Sequence, residues 1–408
     1  MRVHLHDYSG HPFQVQLARE LARRGNAVRH TFSTAVQTPR GALERRPDDA
    51  PDFEVAGIDP GEALPKYSYL RRFLHERRYG ALLAADIERF RPDIAILSNT
   101  PPDAFAGAAR TLARLGVPYV FWLQDVYTEA IQRIVGGRFG PLALPVIWRY
   151  RALEGGLLRG AARVVAITGD FRPLLHQWGV PDQRIATIEN WAPLDELPPG
   201  PRDNGFAVEH GLADRTVALY AGTLGLKHNP ELLAGLAESA RDRPDVRVVV
   251  ISEGLGADYL AEAKRTRGLD NLLLLPFQPF SRLPDVLATA DFVVAILEPE
   301  AGIYSVPSKV LTYHCAGRAL LAAMPAANLA ARIVTRERTG LVADPGDTPG
   351  FLAAARRLLD EPVERGHMGA RARAYAERTF DIAAIADRFE QILTASRAPS
   401  GDRQANNK

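Results

Sequence analysis

The feature that most constrains the fold of this chain is a repeated alternation of short apolar runs with segments of helical periodicity. The first run, "RVHL", is followed by the loop "HDYSGHP" and by "FQVQLARELARRG", whose apolar residues recur at helical spacing. Similar runs are "PDIAILS" (92–98), "VPYVFWL" (117–123) and "ARVVAIT" (162–168). Strands that alternate with amphipathic helices predict a parallel sheet covered on both faces, with ligands beyond the carboxyl ends of the strands.

A segment rich in proline and glycine, "ENWAPLDELPPGPRDNG" (189–205), interrupts this alternation and predicts an interdomain linker. The alternation then restarts with the apolar runs "TVALYAG" (216–222), "DVRVVVIS" (245–252), "NLLLLPF" (271–277) and "DFVVAIL" (291–297). A chain of 408 residues is also long for one core. We therefore predict an α/β protein with two Rossmann-like domains facing across a cleft. The predicted parts are an N-terminal domain at 1–192, a linker at 193–210, a C-terminal domain at 211–380, and a C-terminal helix and disordered tail at 381–408.

Composition indicates the cellular compartment in which the chain is expected to lie. The single cysteine, Cys315, excludes an intramolecular disulfide and a multi-cysteine metal site, as expected in a reducing cytoplasm. We find neither the apolar core of a signal peptide nor a run of about 18 apolar residues that predicts a spanning helix. We expect a cytoplasmic protein that is at most peripheral to a membrane, with no metal, no cofactor and no nucleic-acid partner.

The positive charge of the chain is concentrated in its first half. Residues 1–192 have a net charge of +5, whereas the remainder has −3. The excess lies in "KYSYLRRFLHERRYG" (66–80) and "RFGPLALPVIWRYRALEGGLLRG" (138–160), which combine arginines with aromatic and aliphatic residues. Such stretches suit an anionic lipid surface, or they are solvated faces of ordinary helices.

The stretch "IYSVPSKVLTYHCAG" (303–317) indicates a loop that turns into a helix. The pattern predicts a start near Ser305 or Val306, with Ser305 as the cap, Pro307 in the first turn and Gly317 at the end.

The predicted start of this helix has the chemistry of an anion site. Its first turn offers unpaired amides and the positive end of the helix dipole, and Ser308 and Lys309 add a hydroxyl and a positive charge. These groups suit a diphosphate. The alternative is a plain capped helix whose Lys309 points to solvent.

Three further loops follow predicted strands in the same domain. The first, "YAGTLGLKHNPELL" (220–233), contains Gly222 and Gly225, which allow close approach of an anion, and Lys227, which can neutralise it. The other two loops are "ISEGLG" (251–256) and "LPFQPF" (275–280). The last one offers backbone groups to a base, or it is a simple connection bent by its prolines. Several such loops in one domain indicate a nucleotide, although none is a Walker A or a dinucleotide fingerprint.

The order of these motifs, with "VPSKVLTYHCAGR" and "GLVADPGD", resembles the family 4 glycosyltransferases, which have the two-domain GT-B fold. Within that family the chain is similar to the branch of colanic acid and O-antigen enzymes, which includes N-acetyl-L-fucosamine transferases. The resemblance extends over nearly the whole chain. It implies a donor site made of Gly222, Thr223, Gly225, Lys227, Glu253, Gly254, Phe277, Gln278, Ser305, Ser308 and Lys309.

The chain departs from the family at the pair of glutamates written E(x7)E. Tyr304 and Thr312 occupy the two positions. Glu298 or Glu300 in the loop "LEPEAG" is a candidate substitute beside the sugar, or both are ordinary loop acids. The similar branch also tends to have Ser or Thr at the second position, which favours a branch trait over loss of activity.

The resemblance assigns the acceptor to the N-terminal domain. Asp125 follows a predicted strand, where it orients the acceptor hydroxyl or accepts its proton, unless it only caps a helix. His11 is a second candidate, or a surface histidine. Asp7, Gly10 and Arg40 are further candidates on the acceptor side. The proposed catalytic set is Asp125, Glu300 and His11.

No D-x-D motif occurs, which argues against metal-dependent sugar transfer of the GT-A type. The resemblance implies a retaining, metal-independent hexosyltransferase with a UDP-linked donor and a polyprenyl-diphosphate-linked glycan acceptor at the inner face of the membrane. The alternatives are a non-hydrolysing UDP-sugar epimerase of GT-B fold and a degenerate scaffold without turnover. A Rossmann dehydrogenase fits less well, because no dinucleotide fingerprint opens either domain.

Overall fold

A computed structural model provides the fold of the chain. It describes residues 1–36, 43–62, 69–132, 135, 137, 140–225, 228–299 and 306–397. Contacts divide the chain into two units. Unit 1 contains Met1–Glu189 and the C-terminal segment that begins at Ile382, and unit 2 contains Asn190–Asp381.

Unit 1 is built on a parallel sheet of seven strands in the order β3-β2-β1-β4-β5-β6-β7. The strands are β1 (Arg2–Asp7), β2 (Ala27–Ser33), β3 (Phe53–Ile58), β4 (Ile94–Ser98), β5 (Tyr119–Leu123), β6 (Arg163–Ala166) and β7 (Ile185–Thr187). Its helices are α1 (Pro12–Arg23), α2 (Tyr69–Phe90), α3 (Pro102–Leu115), α4 (Tyr127–Ile131), α5 (Leu144–Gly160) and α6 (Arg172–Gln177). The central strands β4 and β5 are buried along their whole length, as expected of strands covered by helices on both faces.

Unit 2 repeats this design with six parallel strands in the order β10-β9-β8-β11-β12-β13. The strands are β8 (Thr216–Ala221), β9 (Val246–Ile251), β10 (Leu272–Leu275), β11 (Phe292–Ile296), β12 (Ala319–Ala323) and β13 (Gly340–Ala343). The helices that follow are α7 (Gly205–Glu209), α8 (Glu231–Ser239), α9 (Leu255–Arg267), α10 (Leu283–Thr289), α11 (Ser308–Cys315), α12 (Leu329–Arg336), α13 (Thr348–Asp360) and α14 (Pro362–Thr379).

The two parallel sheets confirm the predicted fold class, two Rossmann-like α/β units. The segment predicted as a linker, 193–210, is more structured than its prolines indicate. It contains a short 3₁₀ helix at Leu194–Glu196 and the helix α7, whose N-cap Asn204 accepts hydrogen bonds from two backbone amides.

The last helix, α15 (Ile382–Arg397), packs within unit 1. The Phe389 ring lies 4.7 Å from that of the buried Trp122, and Arg24 forms ion pairs with Asp387 and Glu390. The tail was predicted to be disordered from about Ser396, but Ser396 and Arg397 are helical, and the remainder lies outside the described residues. No helix in the described ranges is both long enough and apolar enough to span a bilayer.

Histidines lie unexpectedly deep in the core of unit 1. His4 and His6 on β1 and His30 on β2 are fully buried. His4 contacts the carboxylate of Asp86 at 3.1 Å, but neither ring nitrogen of His30 has a hydrogen-bond partner among the described residues. Burial lowers the pKa of His6 to about 3 and that of His30 to about 4. These rings are therefore neutral in the folded protein at neutral pH.

We expect unit 1 to lose stability as the pH falls below about 6.5, the ordinary pKa of histidine. Between that pH and the lowered folded pKa values, the unfolded chain binds more protons than the folded one, so acid favours unfolding. The expected loss between pH 7 and pH 5 is about 2 kcal/mol for each such histidine. Urea unfolding at both pH values measures it. The variant His30→Leu should depend less on pH than the wild type, and an unchanged dependence would contradict the role of the buried histidines.

Candidate functional site

Four loops of unit 2 leave the same edge of the sheet. In the register of the strands, Ala221 pairs with Ile251, and Ile251 pairs with Leu275, so β8, β9 and β10 end in one row. The polypeptide after β11 leads to α11 at the same edge, because β11 is parallel to β8 and next to it. Carboxyl ends of neighbouring parallel strands are where such sheets bind ligands.

Helix α11 begins later than the sequence indicates. Ser308 is its first residue and Pro307 is the N-cap, with extended backbone (ψ 112°). The predicted start near Ser305 and the placement of Pro307 in the first turn are therefore wrong. A proline is disfavoured by the helix interior, and an extended residue in front of Ser308 suits it. Ser308 is exposed, and Gly317 follows the helix with a φ of 64°, as expected at a helix end.

The side chain of Lys309 turns toward the end of β8 and is partly shielded from solvent. Its Nζ donates a hydrogen bond of 2.6 Å to the Tyr220 hydroxyl and lies 3.8 Å from the centroid of that ring. The Tyr220 hydroxyl in turn donates to the Thr223 carbonyl at 2.7 Å. Lys309 is thus held by an aromatic ring and a neutral oxygen, and no carboxylate of the described residues forms an ion pair with it.

Shielding from water without a counter-ion lowers the pKa of Lys309 to about 7. An anion beside Nζ would stabilise the charged form and raise this pKa again. Such an anion would supply the negative charge that this lysine lacks.

The glycine loop after β8 lies directly against this lysine. A Cβ atom at Gly222 would lie 3.4 Å from Lys309 Nζ, and the φ of Gly222 is 130°, which other residues rarely adopt. Tyr313, one turn beyond Lys309, accepts a hydrogen bond from the Ala221 amide and donates one to its carbonyl, both at 3.1 Å. Helix α11 is therefore joined to the end of β8 and its loop at Lys309 and again one turn later at Tyr313.

A second glycine brings the β9 loop to the same place. A Cβ atom at Gly256 would lie 2.3 Å from the Leu224 carbonyl oxygen, so only glycine allows this approach. The Gly225 amide donates to His228 Nδ1 at 2.9 Å, so in this structure it is already engaged. Thr223 is exposed.

The remaining predicted donor residues lie on the neighbouring loops. Exposed Glu253 accepts a 3.2 Å hydrogen bond from the Phe277 amide, which joins the β9 and β10 loops. The Phe277 ring is itself exposed, and Gln278 is half-buried. Gly254 is the exposed N-cap of α9. These residues share one sheet edge with Lys309.

Gly222→Ala should weaken anion binding at this edge. The residue is already in a strained region for an L-amino acid, which costs about 1–3 kcal/mol. The added methyl group also contacts the lysine ammonium. Gly235→Ala in α8 is the matched control, because its new Cβ would meet only Leu352, at 3.9 Å. We expect a loss of pyrophosphate affinity in the first variant alone, measured by calorimetry; equal losses in both would contradict the role of Gly222.

In unit 1 the loop after β1 forms a compact polar cluster. The buried carboxylate of Asp7 accepts hydrogen bonds from the amides of Ser9 and His11 and from Asn99 Nδ2 at 3.0 Å. His11 Nδ1 lies 3.3 Å from the same carboxylate. Within the described residues, His11 Nε2 has no hydrogen-bond partner, so it is the ring atom left for a ligand. Gly10, at φ 76°, is buried in this turn.

The electrostatics of this cluster favour a charged His11. Burial alone lowers the pKa of His11, but the charges of Asp7 and Asp125 and the Asp7 hydrogen bond raise it above its ordinary value. Burial would raise the pKa of Asp7, and His11 with Asn99 instead lowers it to about 2. Asp7 was predicted to lie on the acceptor side. Its side chain is buried and contacts His11, so any acceptor would meet this pair through His11.

Asp125 is exposed directly after β5. Desolvation by the surrounding protein raises the pKa of Asp125, and the charge of His11 lowers it, with a net rise. It does not cap α4, since the N-cap there is Val126. Instead, buried Glu154 on α5 accepts from the amides of Tyr127 and Thr128, which fixes the loop that carries Asp125.

Several predicted site residues lie outside the described residues: Arg40, Lys227, Glu300, Tyr304 and Ser305. Thr312 is described; it is half-buried on α11 and its hydroxyl points back to the Ser308 carbonyl at 3.5 Å. Glu298 is half-buried before the gap. In the described ranges, no group of three histidine, cysteine, aspartate or glutamate side chains is arranged to hold a metal ion.

Four residues that position the candidate site residues were not predicted from the sequence: Tyr220, Tyr313, Asn99 and Glu154. Only Tyr313 leaves a local signal, because it lies four residues after Lys309 and hence on the same helix face. The others act through pairings distant in sequence, such as the 89 residues between Tyr220 and Lys309.

Models of known families match both units. Residues 11–191 match the "Glycosyl transferase 4-like domain", and residues 215–361 match "Glycosyl transferases group 1". The chain belongs to the family 4 type of GT-B glycosyltransferases. This finding bears out the predicted resemblance at the level of the family, and the chain is a glycosyltransferase of nucleotide-sugar type.

Two curated relatives are similar over part or most of their length. The colanic acid biosynthesis glycosyl transferase WcaI of Escherichia coli is 25% identical over 335 residues, which are 78% of this chain and 79% of WcaI. A D-inositol 3-phosphate glycosyltransferase of Kineococcus radiotolerans is 29% identical over 244 residues, or 55% of each chain.

Solved structures with the same fold cover nearly the whole chain. Anabaena HepE in complex with UDP and glucose has a TM-score of 0.71 at 16% identity, covering 97% of this chain and 100% of HepE. Sucrose-phosphate synthase from Thermosynechococcus elongatus has a TM-score of 0.73 at 16% identity, covering 98% and 100%. At such identities the likeness establishes the fold.

Proposed function

We propose that this glycosyltransferase moves a sugar from a UDP-linked donor to a polyprenyl-diphosphate-linked glycan at the inner face of the cell membrane, in the synthesis of a surface polysaccharide. The observation that carries the proposal is Lys309, which has no acidic partner among the described residues and lies beside a glycine loop and a helix N-terminus. A diphosphate supplies the charge that this lysine lacks.

Donor chemistry follows from these groups. The leaving diphosphate gains negative charge as the bond to the sugar breaks, and Lys309 with the first amides of α11 stabilises that charge without a metal. Lys227 adds a second cation in this proposal. The exposed Phe277 and Glu253 with Gly254 receive the nucleoside, since they share the sheet edge with the lysine. HepE, of the same fold, binds UDP and glucose.

Acceptor chemistry is assigned to unit 1. Asp125 orients the attacking hydroxyl or accepts its proton, and its raised pKa suits that exchange. His11, which Asp7 holds in place, adds a positive charge and a free Nε2. We infer retention of anomeric configuration, with the acceptor attacking from the side of the leaving group. WcaI, whose name includes colanic acid biosynthesis, supports the polysaccharide setting and the colanic acid and O-antigen branch.

Transfer of radiolabelled sugar from a panel of UDP-sugars to lipid extracted from washed bacterial membranes tests this proposal. We expect UDP release and a labelled lipid product with one donor, and an anomeric proton in the product spectrum that keeps the donor configuration. Neither transfer nor donor hydrolysis with any UDP-sugar would contradict the function. An inverted product would contradict the proposed stereochemistry.

A further inference from the structure

A groove of about 620 Å³ opens in unit 1 between α2, α3 and α5. Its floor exists because α2 and α3 approach unusually closely. A Cβ atom at Gly80 would lie 2.8 Å from the backbone of Ala104, and one at Gly107 would lie 3.1 Å from the Gly80 carbonyl oxygen. The floor is completed by small side chains, those of Ala81, Ala84 and Ala106. No large side chain therefore fills the space above the crossing.

Arginines form the walls of this groove. Arg77, Arg110, Arg114 and Arg149 line it, against a single lining carboxylate, Asp103. Arg149 is neutralised by both carboxylate oxygens of Asp103, and Arg114 forms an ion pair with Glu88.

Two of these arginines have no acidic partner in the part of the chain that the structure describes. Within the described residues no carboxylate forms an ion pair with Arg77 or Arg110, and Arg77 is positioned 5.6 Å from the centroid of the Phe73 ring. Both side chains are exposed. Guanidinium groups bind phosphate in a planar, two-point manner, so two arginines without acidic partners suit a phosphate group.

The rim of the groove is apolar and exposed. Leu70 and Leu74 precede Arg77 and Ala81 on one face of α2, at the helical spacing i, i+4, i+7 and i+11, and both are exposed. Beside Arg149, the start of α5 exposes Leu144 and Trp148, and Leu142 lies just before it. Trp148 is 73% exposed and Leu142 84%. Large side chains so exposed, on the two helices that carry the groove residues Arg77 and Arg149, indicate an interaction surface.

We propose that this groove and its apolar rim form the membrane-binding surface, with the groove holding the phosphate of an anionic phospholipid headgroup and the rim entering the lipid interface. Arginines beside tryptophan and leucine match the two layers of that interface, phosphate outside and acyl chains inside. The surface deepens the proposed function and rests on it, because a lipid-linked acceptor requires the enzyme to reach a membrane.

Tryptophan fluorescence provides a built-in probe. Trp122, Trp178 and Trp191 are buried and Trp148 is exposed, so a change in emission on adding vesicles reports on α5. The experiment titrates the full chain with vesicles of phosphatidylglycerol and phosphatidylcholine, and in parallel with pure phosphatidylcholine. We expect a blue shift and co-sedimentation with the anionic vesicles only. Binding should weaken as salt is added.

The double variant Arg77→Gln/Arg110→Gln should bind anionic vesicles about 30-fold more weakly, at roughly a fivefold loss for each charge. The matched control is Arg184→Gln/Arg241→Gln, which removes two exposed arginines outside the groove. A second test, Leu142→Ser/Leu144→Ser, should also weaken binding. Equal losses in the groove and control variants would show attraction by net charge alone and would overturn the proposal, as would unchanged emission of Trp148.

Two further arms of the experiment distinguish a lipid-binding surface from a site for a soluble phosphate and from a damaged donor site. Glycerol 3-phosphate at the same phosphate concentration should leave the emission unchanged, and a saturable shift would identify a soluble phosphate ligand instead. UDP affinity in solution, without vesicles, should be equal in the wild type and the groove variant. Loss of vesicle binding with normal UDP binding supports the surface. If the wild type binds UDP but does not bind vesicles, the proposed membrane-binding surface is contradicted, whereas the proposed donor site is not.

Discussion

Lys309→Ala should lower the affinity for UDP by about 30-fold or more, the cost of removing a charged partner from a shielded hydrogen-bonded contact. The reason is specific to this lysine. Its Nζ rests on the Tyr220 ring and hydroxyl, and no described carboxylate forms an ion pair with it, so a bound diphosphate is its counter-ion. Isothermal titration of UDP at pH 6.5, where the lysine is mostly charged, measures the loss.

The same variant should not lose stability. A shielded lysine with a lowered pKa costs free energy in the folded state, so its removal is expected to leave the urea midpoint unchanged or higher. Lys264→Ala is the control within unit 2, since its Nζ donates to the Leu272 carbonyl at 2.7 Å and lies on α9. Normal UDP affinity in Lys309→Ala would remove α11 from the donor site.

Asp125→Asn should slow sugar transfer about 100-fold or more, within the range that a positioned acid or base contributes. The amide keeps the shape of the side chain but cannot accept a proton. UDP affinity should be unaffected, since the groups proposed to bind UDP belong to unit 2 and Asp125 to unit 1. Turnover with saturating donor, together with UDP titration, separates the two effects.

The pH dependence of the same reaction provides an independent readout. Because the pKa of Asp125 is raised, the rate should begin to fall at a higher pH than for an ordinary aspartate as the solution is acidified. This acidic limb should disappear in Asp125→Asn. Asp182→Asn is the control, because Asp182 is exposed and pairs with Arg172 and His176 instead. An Asp125→Asn enzyme with a wild-type rate would exclude the proposed role.

Much of the architecture can be predicted from the sequence, because buried parallel strands are continuous apolar runs. Apolar runs coincide with five of the strands, β4, β5, β8, β9 and β11. β2 does not coincide with such a run. It contains the sequence "AVRHTFS", in which a buried histidine and threonine break the apolar pattern. Helix α15 shows a different limit, since periodicity predicts a helix but not the unit on which it packs.

Only part of the candidate site could likewise be predicted from the sequence. Lys309 and the glycine loops are visible because helix starts and glycines have local signatures. The contacts that set the chemistry of Lys309 and His11 have no local signature. Tyr220 lies 89 residues from Lys309 in the sequence, and Asn99 lies 88 residues from His11, so only folding brings each pair together. The sequence also does not show which side chains are exposed to solvent. Asp7 and Asp125 both follow strands, yet the first is buried and supports His11, whereas the second is exposed.

The central claim is that a nucleoside diphosphate supplies the counter-ion of Lys309, and the most direct test is proton uptake on UDP binding. At pH 8 the free lysine, with a pKa of about 7, is largely neutral, and a bound diphosphate should recharge it. Titration in two buffers of different ionisation enthalpy should therefore show the uptake of nearly one proton per UDP in the wild type and none in Lys309→Ala. Binding without proton uptake in the wild type, or the same uptake in the variant, would contradict the account.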